Sequence, residues 1–193
     1  LDDCLSGQCV EGNLLVGLHR AVYVGGGRDN RIVGNLFIDC DPAIEIDARG
    51  LDDRPVWRRL VDEMLFRELD AGNQFSPPIS ERFPLLRGIE QYRDRTTTPG
   101  VPPEGNVIVN NACTGRWLLL SWGVEPGMLQ VENNWTTEAG RDPGFVDRAS
   151  GDLRLRADGP AGRNGFVAIP FERIGPRGFS SGTGSRHERV VQE

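Results

Sequence analysis

The stretch Ile32-Val33-Gly34-Asn35 decides the fold, because the chain repeats it as a short β-branched run that ends in asparagine. Its counterparts are Val10-Glu11-Gly12-Asn13, Val107-Ile108-Val109-Asn110-Asn111 and Val131-Glu132-Asn133-Asn134. Successive final asparagines are 22, 76 and 23 residues apart. A fixed period of this length, with a polar residue at one corner, is typical of stacked β-coils. We therefore expect a solenoid in which these amides form a hydrogen-bonded ladder, one rung per coil.

Each coil contains three predicted strands. One strand leads up to the asparagine, one leaves it, and the third follows a variable corner, as at residues 21–24 and 43–46. Alternating apolar residues identify the inward side of these strands. The residues expected in the core are Val22, Val24, Ile32, Ile44, Ile46 and Val131. The same alternation directs Tyr23, Glu45 and Asp47 outward, on a face where neighbouring strands lie about 4.8 Å apart.

The 76-residue step corresponds to one coil plus an insertion, which we assign to residues 51–105. Pro55 is predicted to begin a helix that ends at Ala71-Gly72, and a shorter helix is expected near residues 83–93. The residues expected to pack the insertion against the coils are Trp57, Leu60, Met64 and Leu65. Coils are predicted at residues 1–50, and coils with a closing segment at 106–175. Residues 176–193 are predicted to be a flexible tail.

Composition excludes several classes of protein. The net charge is −6 and the pI is near 5.1, whereas a nucleic-acid-binding surface is usually basic. All 22 basic residues are arginine, so the chain offers no lysine as a base. It contains no apolar run long enough to span a membrane. The chain opens inside a coil without a signal peptide, and we interpret it as the C-terminal part of a longer or processed protein.

Four segments carry a resemblance to a known superfamily: the VxGN and VxNN rungs, the GGGRDN turn, the AIEIDARG strand-turn and the DPGFVD…GDLRLR segment. Over roughly residues 1–175 the chain resembles right-handed parallel β-helix proteins of the pectate-lyase-like superfamily, an all-β fold with three strands per coil. It is most similar to bacterial secreted or surface members. The resemblance implies secretion or surface display, with the bacterial periplasm as an alternative. It also implies a polysaccharide or oligosaccharide partner, bound on the face that carries Tyr23, Glu45 and Asp47. The catalytic signatures of polygalacturonases and pectate lyases are not matched.

Acidic residues are the main indication of chemistry. Asp3, Glu45 and Asp47 are the candidate catalytic residues, because glycoside hydrolysis uses one carboxylic acid to protonate the leaving oxygen and a carboxylate as base or nucleophile. Asp3 and Asp47 are two coils apart, roughly 9–10 Å at twice the strand spacing. The alternative is that these acids are solvated turn residues or ion-pair partners of Arg49.

Four residues are candidates for binding substrate: His19, Tyr23, Arg28 and Arg49. His19 can orient a sugar or act as a base. Arg28 and Arg49 follow successive third strands, and a guanidinium can hold a uronate carboxylate in bidentate fashion. Arg49 can equally brace Asp47 within the turn.

We expect no obligatory cofactor. Asp39 and Asp41 offer oxygen ligands for Ca²⁺, but turn capping is the favoured interpretation of this short motif. The four cysteines lack metal-ligand spacing, although Cys4 and Cys9 are close enough in sequence for a local disulfide.

Three functions remain open from the sequence. The first is a glycoside hydrolase that acts on a plant or algal polysaccharide through the paired carboxylates. The second is a polysaccharide lyase that uses His19 and Arg49 on a uronate. The third is a glycan-binding or structural β-helix without catalysis.

Overall fold

The computed structural model describes residues 1–72 and 77–174, and most of its strands are parallel. Three sheets contain eleven strands in the described part of the chain. The strands before the rungs are β1 (Cys9–Glu11), β4 (Arg31–Val33), β7 (Asn106–Val109) and β10 (Leu129–Glu132), and they pair in that order. The strands after the rungs are β2 (Leu14–Val16), β5 (Leu36–Cys40), β8 (Ala112–Gly115) and β11 (Trp135–Thr137). The third sheet contains β3 (Val22–Gly25), β6 (Ile44–Asp47) and β9 (Leu118–Ser121).

Strands of successive coils pair in register. Val10 lies opposite Ile32, Ile32 opposite Ile108, and Ile108 opposite Val131. The pairing of β4 with β7 crosses the long sequence step, so the insertion leaves the stack without interrupting it. Parallel strands in stacked sheets are confirmed, and the arrangement is consistent with a parallel β-helix.

The backbone conformation of the residue before each asparagine explains why the motif occurs in two forms, VxGN and VxNN. Gly12 and Gly34 have φ of 66° and 63°, and Asn110 and Asn133 have φ of 58° and 53°. Glycine adopts this left-handed conformation without strain, and asparagine tolerates it better than most residues. The corner of each coil therefore selects glycine or asparagine at this position.

The predicted asparagine ladder is present. Asn13 Nδ2 donates to Asn35 Oδ1 at 3.0 Å, Asn35 Nδ2 to Asn111 Oδ1 at 3.0 Å, and Asn111 Nδ2 to Asn134 Oδ1 at 2.9 Å. Asn35 and Asn111 are fully buried. Because each buried amide has partners on both sides, the ladder satisfies polar groups that would otherwise oppose folding.

The core lies between the three sheets. Five of the six predicted core residues are at most 6% exposed: Val22, Val24, Ile32, Ile44 and Ile46. The prediction for Val131 is wrong, since its exposure is 38%. Val131 lies in the same inward column as Ile32 and Ile108, but β10 is the last strand of its sheet. No strand in the described residues covers it.

The insertion between β6 and β7 is helical. It contains α1 (Pro55–Arg58), a π-helical stretch (Arg59–Leu65), α2 (Phe66–Ala71), α3 (Ile79–Arg82) and a 3₁₀ helix (Pro84–Tyr92). Its buried apolar residues are Val61, Phe66, Leu69, Ile89 and Val101. Met64 is 42% exposed, and together with Leu60 and Leu65 it lines a cavity beside Asp3 and Cys4 of the coils.

The closing segment covers the outer face of the sheet β2-β5-β8-β11. It contains an antiparallel pair, β12 (Phe145–Asp147) and β13 (Asp152–Leu155), and the short helix α4 (Pro160–Arg163). Its apolar side chains pack on Leu36, Ile38 and Ala112. The predicted tail, 176–193, lies outside the described residues. No helix in the described ranges is long and apolar enough to cross a membrane.

Candidate functional site

The outward face of β3, β6 and β9 brings together most of the residues singled out by the sequence. Tyr23 lies opposite Glu45, and Gly25 lies opposite Asp47, which in turn lies opposite Ser121. The chain start adds two more acids. Gly25 N donates to Leu1 O at 2.9 Å and Cys4 N donates to Gly25 O at 2.7 Å, which places Asp2 and Asp3 at the end of β3.

Arg49 is the centre of this face. Its Nη1 donates to Asp2 Oδ1 at 2.7 Å and to Asp3 Oδ1 at 2.8 Å. Its Nη2 donates to Asp47 Oδ2 at 2.9 Å, and its Nε donates to Asp47 Oδ1 at 3.1 Å. Arg49 is 4% exposed and Asp47 is 1% exposed. One guanidinium therefore joins the turn after β6 to the acids of the preceding coils.

Both oxygens of Asp47 are occupied. Oδ1 accepts from the backbone N and the Nε of Arg49, and Oδ2 accepts from Arg49 Nη2 and the Tyr23 hydroxyl. Asp47 lies on the predicted side of the strand, but the expectation that it faces a groove is wrong. Arg49 likewise does not face outward to bind a uronate. Two roles were considered for Arg49, and its contacts favour the one in which it braces Asp47 within the turn.

Electrostatics reinforce this arrangement. Burial opposes the charge on Arg49, but hydrogen bonds and attraction to Asp47 outweigh it and raise the pKa of Arg49. Burial, followed by the hydrogen bond to Asp47, raises the pKa of Tyr23 to about 12. The backbone N–H of Asp3 lowers the pKa of Asp2, burial opposes that effect, and Arg49 adds to it. The cluster thus places three carboxylates around one permanently charged arginine.

Three aromatic rings surround the Arg49 guanidinium. Its carbon lies 4.5 Å from the centre of the Trp57 ring, 5.4 Å from Tyr23 and 5.9 Å from Trp122. Such contacts favour the cation electrostatically. Trp57 belongs to α1, so the insertion supplies one of the three rings around the guanidinium. The sequence placed Trp57 in the helix, but its period gives no sign that the ring reaches an arginine of the coil.

Trp122 is the exposed aromatic of the cluster. It follows β9, it is 45% exposed, and its ring centre lies 6.1 Å from that of Trp57. The guanidinium of Arg54 lies over the Trp122 ring at 4.3 Å, and Arg54 pairs with Asp52 at 2.8 Å. The ring thus contacts both Arg54 and Trp57 and still keeps a large exposed surface.

Glu45 and Tyr23 form the other half of the face. Arg20 lies over the Tyr23 ring at 5.0 Å, and its Nε is 3.7 Å from Glu45 Oε2. Ser121 Oγ donates to Glu45 Oε1 at 3.3 Å. The Glu45 side chain keeps 15% of its surface exposed, so it is the most accessible of the outward residues within β6.

The remaining two predicted binding residues are Arg28 and His19. Arg28 is 6% exposed, pairs with Glu104 at 3.2 Å, and lies 5.5 Å from the ring centre of Tyr92. The expectation that Arg28 faces the groove is wrong, because the end of the insertion covers it. His19 is exposed at the corner before β3.

The proposed calcium ligands have other partners. Asp39 accepts from Gly140 N and Thr114 Oγ1, each at 2.9 Å, and pairs with Arg148 at 3.1 Å. Asp41 lies 3.6 Å from Arg116. Within residues 1–72 and 77–174, no group of three or more His, Cys, Asp or Glu residues is placed to hold a metal ion. Cys4 and Cys9 are free thiols.

Comparison with protein-family models gives no match, and neither curated proteins nor solved structures give a significant one. Function is therefore inferred from the geometry of the β3-β6-β9 face.

Proposed function

We propose that the chain is a right-handed parallel β-helix protein of the pectate-lyase-like superfamily that binds a glycan on the outward face of β3, β6 and β9. Secretion or surface display belongs to the same proposal. The observation that carries it is Trp122, an aromatic ring that is 45% exposed beside an otherwise saturated cluster. Large, rigid aromatic rings provide binding energy at small entropic cost.

The surroundings of Trp122 support a pre-organised stacking surface. The Arg54 guanidinium lies over the ring, the Trp57 ring packs beside it at an interplanar angle of 48°, and Trp57 in turn packs on Arg49. Since Arg49 is fixed by three carboxylates, the aromatic group does not need to be ordered when a ligand binds. The apolar face of a pyranose ring is suited to this surface.

The charges favour a neutral glycan over a uronate. Arg28 and Arg49, the two arginines expected to hold carboxylates, are buried and paired. Arg20 and Arg54 lie on the face but already have carboxylate neighbours. Asp2 and Asp3 expose 68% and 65% of their side chains, so they repel a second negative charge.

Binding without hydrolysis fits the carboxylates better than catalysis does. A glycoside hydrolase needs a protonated acid and a second available carboxylate. Asp47 has no free oxygen, and the lowered pKa of Asp2 makes it a poor proton donor. Glu45 and Asp3 keep 15% and 65% of their side chains exposed, but Asp3 is paired with Arg49 at 2.8 Å and Glu45 lies 3.7 Å from Arg20, so each already has a cationic partner. The hydrolase and the lyase remain the competing outcomes of the test.

The test is calorimetric titration with neutral and uronate oligosaccharides, followed by assays for new reducing ends and for the ultraviolet absorbance of unsaturated uronates. Trp122→Ala should weaken binding of a neutral oligosaccharide by about 1–2 kcal/mol, roughly five- to thirtyfold. Val167→Ala, at an 80% exposed position of the closing segment, is the matched control. Absence of binding, or equal binding by Trp122→Ala, contradicts the proposal. If the protein hydrolyses a glycan and Glu45→Gln abolishes that activity, the chain is a hydrolase. If unsaturated uronates form, it is a lyase.

A further inference from the structure

Three neighbouring cavities lie on the flank of the stack, where the helical insertion faces the turns that lead into β1, β4 and β7. Their volumes are about 370, 180 and 120 Å³. Asp29 and Phe83 line both the first and the second, and Ser6, Asp29 and Leu86 line both the second and the third. Because each cavity shares lining residues with the next, they form one row, which we call the insertion seam.

The inner end of the insertion seam is the smallest cavity, and the insertion gives it an apolar wall. The residues of this wall are Val61, Leu65, Leu86, Ile89 and Val101. Val61, Ile89 and Val101 are at most 3% exposed. Enclosed apolar cavities of roughly this size stay dry and accept apolar molecules. The inner end is therefore suited to a hydrocarbon group.

Polar groups on the coil side of the smallest cavity already have partners. Arg28 Nη1 donates to Pro102 O at 3.2 Å, and Arg28 pairs with Glu104 at 3.2 Å. Ser6 Oγ donates to Cys4 O at 2.9 Å and accepts from Arg28 N at 3.0 Å. Burial raises the pKa of the Cys4 thiol to about 11, so the thiol is uncharged at neutral pH. The inner end therefore offers little to a charged ligand group.

The outer end of the insertion seam carries two arginines. Arg31, at the start of β4, and Arg82, at the end of α3, both line the largest cavity, and both are exposed. Neither forms an ion pair in the described part of the chain, whereas most other arginines there do. The Arg82 guanidinium lies 5.3 Å from the centre of the Phe83 ring. Guanidinium groups bind carboxylates through strong, charge-assisted hydrogen bonds, so this end is suited to an anionic group.

Asp29 is the one acid on the walls of the three cavities among residues 1–72 and 77–174. Burial raises the pKa of Asp29, Arg28 opposes that effect, and Glu104 adds to it. Since the largest cavity has Arg31 and Arg82 against this single carboxylate, positive charge predominates at the outer end.

We propose that the insertion seam binds a free fatty acid, with its carboxylate at Arg31 and Arg82 and its alkyl chain extending past Phe83 and Leu86 toward Val61. A fatty acid is the occupant because it matches both ends of the seam. A neutral hydrocarbon would leave the arginines without a partner, and a small anion would leave the apolar end unfilled. The residues involved do not belong to the β3-β6-β9 face, so this proposal is independent of glycan binding.

The test is calorimetric titration of the full chain with straight-chain fatty acids from hexanoate to hexadecanoate, each kept below the concentration at which it forms micelles. Affinity should increase about fourfold with each buried methylene and should stop increasing once the seam is filled. Dodecanol, which lacks the charge, should bind at least about tenfold more weakly than dodecanoate. Absence of binding, affinity that does not depend on chain length, or equal binding of the alcohol and the acid overturns the proposal. Binding to phospholipid vesicles alone also overturns it.

A double variant tests the position of the carboxylate. Arg31→Gln combined with Arg82→Gln removes both guanidinium groups from exposed positions, so the fold should be retained. Dodecanoate should then bind at least about tenfold more weakly, whereas dodecanol should bind as it does to wild type. Arg173→Gln, at an exposed arginine of the closing segment, is the matched control and should bind dodecanoate as wild type does. Unchanged dodecanoate binding by the double variant would show that the proposal is wrong.

A second variant tests the path of the alkyl chain. Val61→Phe fills the inner end of the seam, so affinity should stop increasing at a shorter chain length than in wild type, while hexanoate binding stays unchanged. Val167→Phe, at an 80% exposed position, is the control and should keep the wild-type dependence on chain length. Circular dichroism verifies folding, and Leu65→Phe replaces Val61→Phe if the latter does not fold. The same dependence on chain length in wild type and in the filled variant would place the chain outside the seam and contradict the proposal.

Discussion

Asp47 and Arg49 form a buried ion pair at the turn where the third strand of the second coil leads into the helical insertion. The same arginine reaches Asp2 and Asp3, which lie beside the end of the preceding third strand. The pair therefore fastens the beginning of the insertion to the coils. It also supports Trp57, and through Trp57 the exposed ring of Trp122. The residues that the sequence assigned to catalysis therefore support the aromatic rings beside them.

Asp47→Asn should destabilise the fold. The change leaves the buried Arg49 without its principal counter-charge, and breaking a buried pair in this way costs about 3–5 kcal/mol. Urea unfolding at neutral pH measures the loss. Asp52→Asn, which breaks the exposed pair with Arg54, is the control and should change stability little. Equal stability of Asp47→Asn and wild type would show that Arg49 does not depend on Asp47.

Asn35→Ala should interrupt the ladder at a buried rung. Asn35 Oδ1 accepts from Asn13, and its Nδ2 donates to Asn111 Oδ1 and Val10 O. Removing the amide leaves buried polar groups unpaired, and we expect a loss of about 2–3 kcal/mol in the free energy of unfolding. Asn13→Ala, at the exposed end of the same ladder, should cost clearly less. Similar losses for both variants would show that burial does not determine how much each rung stabilises the fold.

The stack of parallel strands was predictable because it depends on local repetition. Asparagine at a fixed corner, a left-handed residue before it, and alternation along the strands each act within one coil. The prediction for Val131 failed because burial in a stack of parallel strands depends on the next strand along the stack, and the sequence of a strand does not state whether another strand covers it. A second ladder was present in the sequence but missed. Asn30 N donates to Asn106 Oδ1, and these residues are 76 apart, the same step that separates Asn35 from Asn111.

The candidate site was only partly predictable. Alternation assigned Tyr23, Glu45 and Asp47 to one face correctly, since they follow the strand period. Whether a carboxylate on that face meets water or an arginine depends on the path of the chain after the strand. The turn folds Arg49 back onto Asp47, and the insertion brings Trp57 over both. No periodic pattern records contacts of this kind.

Asp39 should contribute to the pH dependence of stability. The backbone N–H of Gly140 lowers the pKa of Asp39, burial opposes this, and Thr114 and Arg148 add to it. A lowered pKa stabilises the fold above the unfolded value of about 3.9, and that contribution is lost as the pH falls through the folded value. Asp39→Asn tolerates the local φ of 51°. Wild type should lose more stability than Asp39→Asn on acidification below about pH 4. Parallel pH profiles would contradict this role.

Gly27→Ala should destabilise the turn between β3 and β4. A Cβ at this position would lie 2.0 Å from the Leu5 carbonyl oxygen, a backbone atom that cannot move aside easily. We expect a cost of about 1–3 kcal/mol in thermal or urea unfolding, as for other overpacked positions. Gly127→Ala is the matched control, because nothing lies within 4 Å of the added Cβ. A neutral Gly27→Ala would mean that the first coil adjusts freely.

The most direct measurement of the glycan-binding face is an NMR titration that follows the indole N–H signals of the four tryptophans. Single Trp→Phe variants assign the signals, and a neutral oligosaccharide is the titrant. The account predicts that the Trp122 signal shifts most and that Trp57 follows it. Trp117 packs on Phe37 at the core, and Trp135 packs under the closing segment, so both should stay unchanged. A glycan that binds without moving the Trp122 signal, or that moves Trp135 instead, would contradict the placement of the binding face on β3, β6 and β9.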